Sequence, residues 1–249
     1  MTNLMMNFQE GARFLAEGGL NMLAVFDCAD LPRGAVQVMG DNGGPAATAV
    51  PLAEYRRLVL VGHGGRRMWA ALQDRGMETP DPVDHYSMTL SRQFIIDYLD
   101  DAPHLWLYPD SEYLIPLQQL GEAAGWSYPS PLGSGISPVF GVWFAYRAAF
   151  LIDADLPLIF EEPGLSPCDS CLEKPCIQTC PVRAVQQGAF AVESCVRHRI
   201  ESDSPCADRC LARMACPYFP EHRYTLPQIR YHYGRSLETL RAWYEVDKA

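Results

Sequence analysis

Eight of the chain's nine cysteines fall within residues 168–216, and their spacing is the first clue to chemistry. The run CDSCLEKPCIQTCP sets Cys168, Cys171, Cys176 and Cys180 in the pattern C-x2-C-x4-C-x3-C-P. A C-x2-C turn delivers two thiolates from one loop and aims backbone N–H groups at whatever the sulfurs hold. The bacterial run that serves a pair of four-iron centres is C-x2-C-x2-C-x3-C-P, and its fourth cysteine ligates the other centre. Here the stretch LEKP adds two residues before the third cysteine. A second, irregular run follows: Cys195, Cys206, Cys210 and Cys216, the last again followed by proline, Pro217. If the crossing rule holds, Cys168, Cys171, Cys176 and Cys216 bind one [4Fe–4S] cluster, and Cys180, Cys195, Cys206 and Cys210 bind another. Proline after the fourth cysteine also predicts a short helix over VRAV, residues 182–185.

Other uses of cysteine fit less well. Zinc favours two C-x2-C pairs, of which only one occurs, and C-P endings are not a zinc feature. Radical chemistry on an adenosylmethionine cluster needs C-x3-C-x2-C, which is absent. Disulfides belong to oxidising compartments. The N-terminal MTNLMMNFQEGARFLAEGG has acids and glycines where a signal peptide needs a basic start and an apolar run, so a cytoplasmic location is expected. No apolar stretch reaches membrane-span length. The remaining cysteine, Cys28, reads as an ordinary buried apolar residue.

These cysteines need a body to position them. With 48% hydrophobic and 20% charged residues, the chain can bury a real core. Its net charge of −10 argues against a general nucleic-acid surface, which needs basic patches. Helix-like and strand-like segments alternate before residue 160. Helices are expected over residues 8–17, 66–76, 87–98 and 114–124, and strands over 22–26, 58–61 and 105–107. Residues 30–51, rich in Gly, Pro and Asp, read as a loop. The GHGG of residues 62–65 reads as a tight turn; it lacks the G-x-G-x-x-G spacing of a dinucleotide site, although Arg66 and Arg67 stand beside it. In DPVDHYS, Asp84 reads as a helix cap in preference to a catalytic group. Residues 225–246 read as a docking helix with a proline in its first turn.

One segment, WSYPSPLGSGISPVFGVWFAYRAAFLI from residue 126 to 152, begins as a Gly/Pro/Ser loop and ends apolar and aromatic. A long loop anchored by aromatics is one way to build a ligand wall; a surface loop packed by its own prolines is the alternative. Arg147, set among apolar residues, should meet a carboxylate or a ligand's polar edge.

An α/β body followed by two C-P cysteine runs resembles the epoxyqueuosine reductases and, more distantly, the corrinoid-dependent reductive dehalogenases. GISPVFGVWFAYRAAFLI is similar to the G-I-H-P-x-F-G-x-W-F-A-x-R-A segment of the cobalamin-processing proteins of the CblC type. Together the resemblances touch residues 58–217. They imply an α+β fold: a nitroreductase-like sheet-and-helix body over residues 1–160, a ferredoxin-like two-cluster module over 161–222, and a C-terminal helix over 223–249. They also imply a cobalamin held near a cluster by Trp126, Gly133, Gly135, Ser137, Phe140, Gly141, Trp143 and Arg147. Ser137 stands where the CblC-type segment carries histidine, so any role of that histidine is lost. The reductases place an acidic proton donor upstream of the Gly-rich loop; in YPDSEYLIP this makes Asp110 or Glu112 the candidate, against a reading of both as exposed helix-start acids.

The expected activity is electron transfer through two [4Fe–4S] clusters to a corrinoid, fed by a low-potential electron donor protein, with a corrinoid or small molecule as substrate. The alternatives are a ferredoxin-type carrier without corrinoid and an epoxyqueuosine-reductase-like enzyme. For the latter, no helical-repeat tail that would grip tRNA is visible, and neither nucleic acid nor membrane is an expected partner.

Overall fold

The computed structural model describes residues 2–31, 36–39, 45–109, 112–161 and 164–246. The chain forms two units. One comprises Met1–Trp126 with Phe144–Pro163, the other Ser127–Trp143 with Gly164–Ala249.

In chain order, the first unit begins with α1 (Thr2–Glu17), β1 (Met22–Asp27), β2 (Gln37–Met39), β3 (Pro45–Ala49) and β4 (Arg57–Gly64). It continues with α2 (Arg67–Arg75), α3 (Pro82–Tyr98), β5 (His104–Tyr108), β6 (Tyr113–Leu114) and α4 (Leu117–Ala123). The second unit supplies β7 (Tyr128–Pro129) and β8 (Gly135–Ile136), and the first takes back β9 (Phe144–Ile152). The second unit then holds α5 (Pro175–Thr179), β10 (Val185–Gln186), β11 (Ala189–Phe190), α6 (Val192–Ile200), α7 (Leu211–Met214) and α8 (Leu226–Val246).

The first unit is built on a sheet of order β1-β4-β9-β5, antiparallel throughout. Its centre is the apolar run Leu58–Leu60–Val61, buried on both faces and registered so that Leu58 faces Leu151 and Leu60 faces Ala149. A strand covered on both sides must be apolar at every position, which is why this run does not alternate. Helices α1 and α3 pack together, Phe8 meeting Phe94 edge-on with ring centroids 6.0 Å apart. Gly11 permits this approach, since a Cβ there would stand 2.5 Å from the Phe94 ring. Burying Phe94 or Phe150 contributes about 1.5–3 kcal/mol each.

Three local expectations are corrected. The GHGG turn is largely strand: β4 continues through Gly64, which the Asn21 amide clasps by donating to the Gly64 carbonyl (3.2 Å) and accepting from its N–H (2.8 Å). Gly62 is a packing glycine, because a Cβ would meet the Ala145 carbonyl and the Trp126 ring at 3.0 Å. Residues 30–51 are not all loop, for β2 and β3 join β6 in a three-stranded sheet. No helix forms over VRAV; Arg183 adopts a left-handed φ of 52°, and the chain turns into the β10–β11 hairpin instead. The helix of this run precedes Cys180, with Pro175 in the first turn of α5.

The second unit packs Ile136, Val142, Trp143, Cys216, Tyr224 and Ile229 into a small core, with Cys168, Met214 and Tyr233 against it. Trp143 and Tyr224 lie 5.4 Å apart. The turn from Ser137 to Gly141 is closed by reciprocal backbone hydrogen bonds of 2.7 and 3.0 Å. Ser137, fully buried, accepts the Val139 and Phe140 N–H groups on its hydroxyl. Gly141 is required there: its φ is +59°, and a Cβ would come within 2.8 Å of the Tyr218 carbonyl.

Candidate functional site

In the second unit the eight clustered cysteines gather into two groups of four, each mixing the two runs. None of them is joined in a disulfide. In the first group, the Cys171 N–H donates to the Cys168 carbonyl at 3.3 Å, forming the tight C-x2-C turn. The residues that lengthen the spacing have a structural use. Lys174, in the left-handed region, returns its Nζ to the Cys168 carbonyl (2.9 Å), and Pro175 then starts the short helix bearing Cys176. Burial pushes the Cys168 thiol up, Lys174 draws it back, and the sulfurs of Cys216, Cys176 and Cys171 push it up again. Cys216 is raised by burial and in turn feels Cys176 and Cys171. These four sulfurs therefore share one field.

The second group lines a cavity of about 350 Å³: Cys180, Cys195, Cys206 and Cys210 all open onto it. Burial, followed by the neighbouring Cys210, pushes the Cys195 thiol up to about 11, with Cys180 and Cys206 adding to the effect. Several backbone N–H groups face sulfur. The Arg213 N–H lies 3.4 Å from Cys210 Sγ, Leu211 faces Cys206, Ile177 faces Cys176 and Tyr218 faces Cys216. Such donors favour thiolate and are a feature of iron–sulfur ligation.

The donor set can be tested against the group it would hold. A single zinc ion draws its sulfurs to about 2.3 Å from one centre. Among the described residues, no group of three or more Cys, His, Asp or Glu stands arranged to hold a metal ion. The four thiols around the cavity, two of them (Cys206 and Cys210) facing backbone N–H donors, are a donor set that would suit a polynuclear core.

The first unit holds the remaining polar candidates. Arg147 donates its Nε to His63 Nδ1 at 2.9 Å, and among the described residues it pairs with no carboxylate. The bond fixes that imidazole with Nδ1 as acceptor, hence neutral, which suits a wholly buried histidine. Tyr108 is nearby, its phenol raised by burial, eased by Arg147 and raised again by Asp84. Trp126 is buried and stacks on Tyr146 (6.2 Å, 12°), against which Phe144 sits edge-on. Glu112 is exposed, its carbonyl accepting the Met39 N–H; Asp110 lies outside the described residues. Asp84 falls in the first turn of α3, one turn past the N-cap Asp81.

In the second unit, Gly133 (φ +72°) abuts the Phe190 ring, Gly135 pairs with Pro129, and Phe140 contacts the His222 ring at 4.9 Å. Trp143 belongs to the core. Sequence reasoning missed His63 and the arginines around the second cysteine group, Arg199 and Arg213. His63 carried no signal beyond its strand; the basic residues interleaved with the second run were a readable one.

No family model matches the chain, and no curated protein matches it in sequence. Solved structures do share its fold. An epoxyqueuosine reductase bound to an epoxyqueuosine-modified tRNA-Tyr stem loop is 12% identical, covers 92% of this chain and 69% of its own, and gives a TM-score of 0.56. The epoxyqueuosine reductase of Bacillus subtilis is 13% identical over 90% of this chain and 68% of its own, with a TM-score of 0.55. A catabolic reductive dehalogenase in complex with 3-bromo-4-hydroxybenzoic acid is 12% identical over 96% of this chain, which spans only 39% of that protein (TM-score 0.54). Identities this low speak to fold alone: the chain has a mixed helix-and-sheet fold similar to that of the epoxyqueuosine reductases.

Proposed function

We propose that the chain is an iron–sulfur oxidoreductase that delivers electrons to a corrinoid. Cys168, Cys171, Cys176 and Cys216 would hold one [4Fe–4S] cluster, and Cys180, Cys195, Cys206 and Cys210 the other, within a module of residues 161–222 that follows a body of residues 1–160 and precedes a docking helix of residues 223–249. When bound, the clusters supply low-potential one-electron transfer, and a corrinoid supplies a cobalt centre that such electrons reduce. The observation that carries the reading is the cavity lined by four cysteines drawn from both runs.

The protein's own groups have definite tasks in this reading. Backbone N–H donors stabilise the thiolates, and Lys174 holds the first loop closed. Toward the corrinoid, Trp126 offers an aromatic face backed by Tyr146, and Arg147 offers a guanidinium fixed by His63 to an amide edge. Gly133, Gly135, Ser137, Phe140, Gly141 and Trp143 shape the loop between them in sequence. Glu112, or Asp110, would donate a proton to the reduced product. A low-potential protein would supply the electrons.

The test is anaerobic: incubate purified protein with hydroxocobalamin and dithionite, desalt, then read the spectrum and the metals. Retained cobalamin reducible to Co(I), alongside about eight irons per chain, is expected. Iron without cobalamin would leave a ferredoxin-type carrier. A second reading, reduction of a modified nucleobase, is favoured by the fold likeness to the epoxyqueuosine reductases; turnover of an epoxyqueuosine-containing stem loop would select it.

A further inference from the structure

The cavity of the second cysteine group carries a charge pattern that thiols alone do not need. It is lined by Arg199, Arg209, Arg213 and His198 and, among the described residues, by no carboxylate. Two of these groups have acidic partners outside the lining: Arg209 pairs with Asp208 at 2.6 Å, and His198 Nδ1 lies 3.1 Å from a Glu201 carboxylate oxygen. Arg199 and Arg213 have none among the described residues. Arg199, buried, donates to the Cys206 carbonyl (3.4 Å), the Ser236 hydroxyl (3.1 Å) and the Tyr233 carbonyl (3.0 Å), and lies 4.9 Å over the Tyr233 ring. Arg213 donates twice to the Val142 carbonyl and sits over Trp143 (4.8 Å) and Tyr224 (5.4 Å).

A guanidinium does not lose its proton in a protein, so these two charges are permanent. Placing them in a carboxylate-free cavity is costly unless an anion forms there. The four thiolates of an iron–sulfur centre make one. Tyr233, pushed by burial to about 12, stays a neutral phenol and does not cancel the charge.

We infer that Arg199 and Arg213 set the reduction potential of the centre held by Cys180, Cys195, Cys206 and Cys210. The inference rests on the cluster reading above. One electron from a low-potential donor adds one negative charge beside two fixed positive ones. The reduced state is thereby stabilised, and no proton has to follow. Arg199 acts most directly, because its Nε bonds the carbonyl of a ligand cysteine, Cys206. The first cysteine group has different neighbours, Lys174 and Arg223, and is not governed by this pair.

The test is a potentiometric titration of the iron-loaded protein, poised with dithionite and followed by electron paramagnetic resonance. It compares the native chain with Arg199→Gln, which removes the charge, and Arg199→Lys, which keeps it. Iron is counted first, so that absence of the clusters is recognised separately as failure of the cluster reading. With clusters present, Arg199→Gln should move one of two one-electron steps to more negative potential and leave the other in place. Arg199→Lys should stay close to the native value. Unmoved steps in Arg199→Gln, or equal shifts in both variants, would overturn the inference. If Arg199→Gln cannot retain iron, the pair Arg213→Gln and Arg213→Lys is read by the same criteria.

Discussion

The two units solve the problem of holding a fold by different means. The first stacks apolar strands: β4 is buried along nearly its whole length, and β9 is buried from Ala148 to Ile152. The second has only two-residue strands, three short helices and one long one, with Cys168 and Cys216 set in or against its core. Their charges differ as well. The first unit's sequence holds nine basic and twenty acidic residues, the second's eleven and ten. Apolar burial suffices for the first. The second has little sheet to rely on, and its cysteine groups are where an inorganic core would take the place of missing apolar contacts.

This contrast can be broken most forcefully by metal removal. Chelation of iron should expose the amides of residues 164–222 to hydrogen exchange while those of β4 and β9 stay protected. The loss expected is on the order of several kcal/mol for the second unit. Uniform loss of protection would mean that the two units fold as one. The converse experiment strikes the first unit. Phe150→Ala empties a fully buried site beside Trp106 and should cost about 3–5 kcal/mol in denaturant unfolding, with iron per chain unchanged.

A smaller effect is expected at the polar pair of the first unit. Arg147→Met takes the donor from His63 Nδ1 and should lower stability by about 1–3 kcal/mol. Retention of cobalamin should fall with it. Smallest is the ninth cysteine. Burial, reinforced by Asp27, pushes the Cys28 thiol up to about 11, so the folded chain holds this proton more tightly than the unfolded one. Its contribution is fully present below about pH 9 and is lost as pH rises through about 11. Cys28→Ala should flatten that part of the stability profile.

Much of this contrast was legible in the sequence. The apolar run at residues 58–61 and the cysteine spacings are local signals, and the first lies, as expected, in a strand, β4. What the sequence hid is mostly non-local. Ser127–Trp143 belongs with the second unit although it adjoins the first, because Trp143 packs on Tyr224, far along the chain. His63 finds Arg147 across 84 residues. The strand through Gly62 was masked because that glycine serves the close approach of Trp126 and Ala145, not a turn. The helix expected after Pro181 failed because Arg183 takes a left-handed conformation that leads into a hairpin. Strands β2 and β3 were obscured by the glycines and prolines around them.

The central claim is that the two cysteine runs cross to make two centres, and it is tested most directly by counting iron and acid-labile sulfide per chain in anaerobically purified native protein and in Cys180→Ala. The account predicts about eight irons in the native chain, and in the variant loss of the Cys195–Cys206–Cys210 centre with survival of the other. A single tightly bound zinc, no metal, or loss of the Cys168–Cys171–Cys176 centre on changing Cys180 would contradict it.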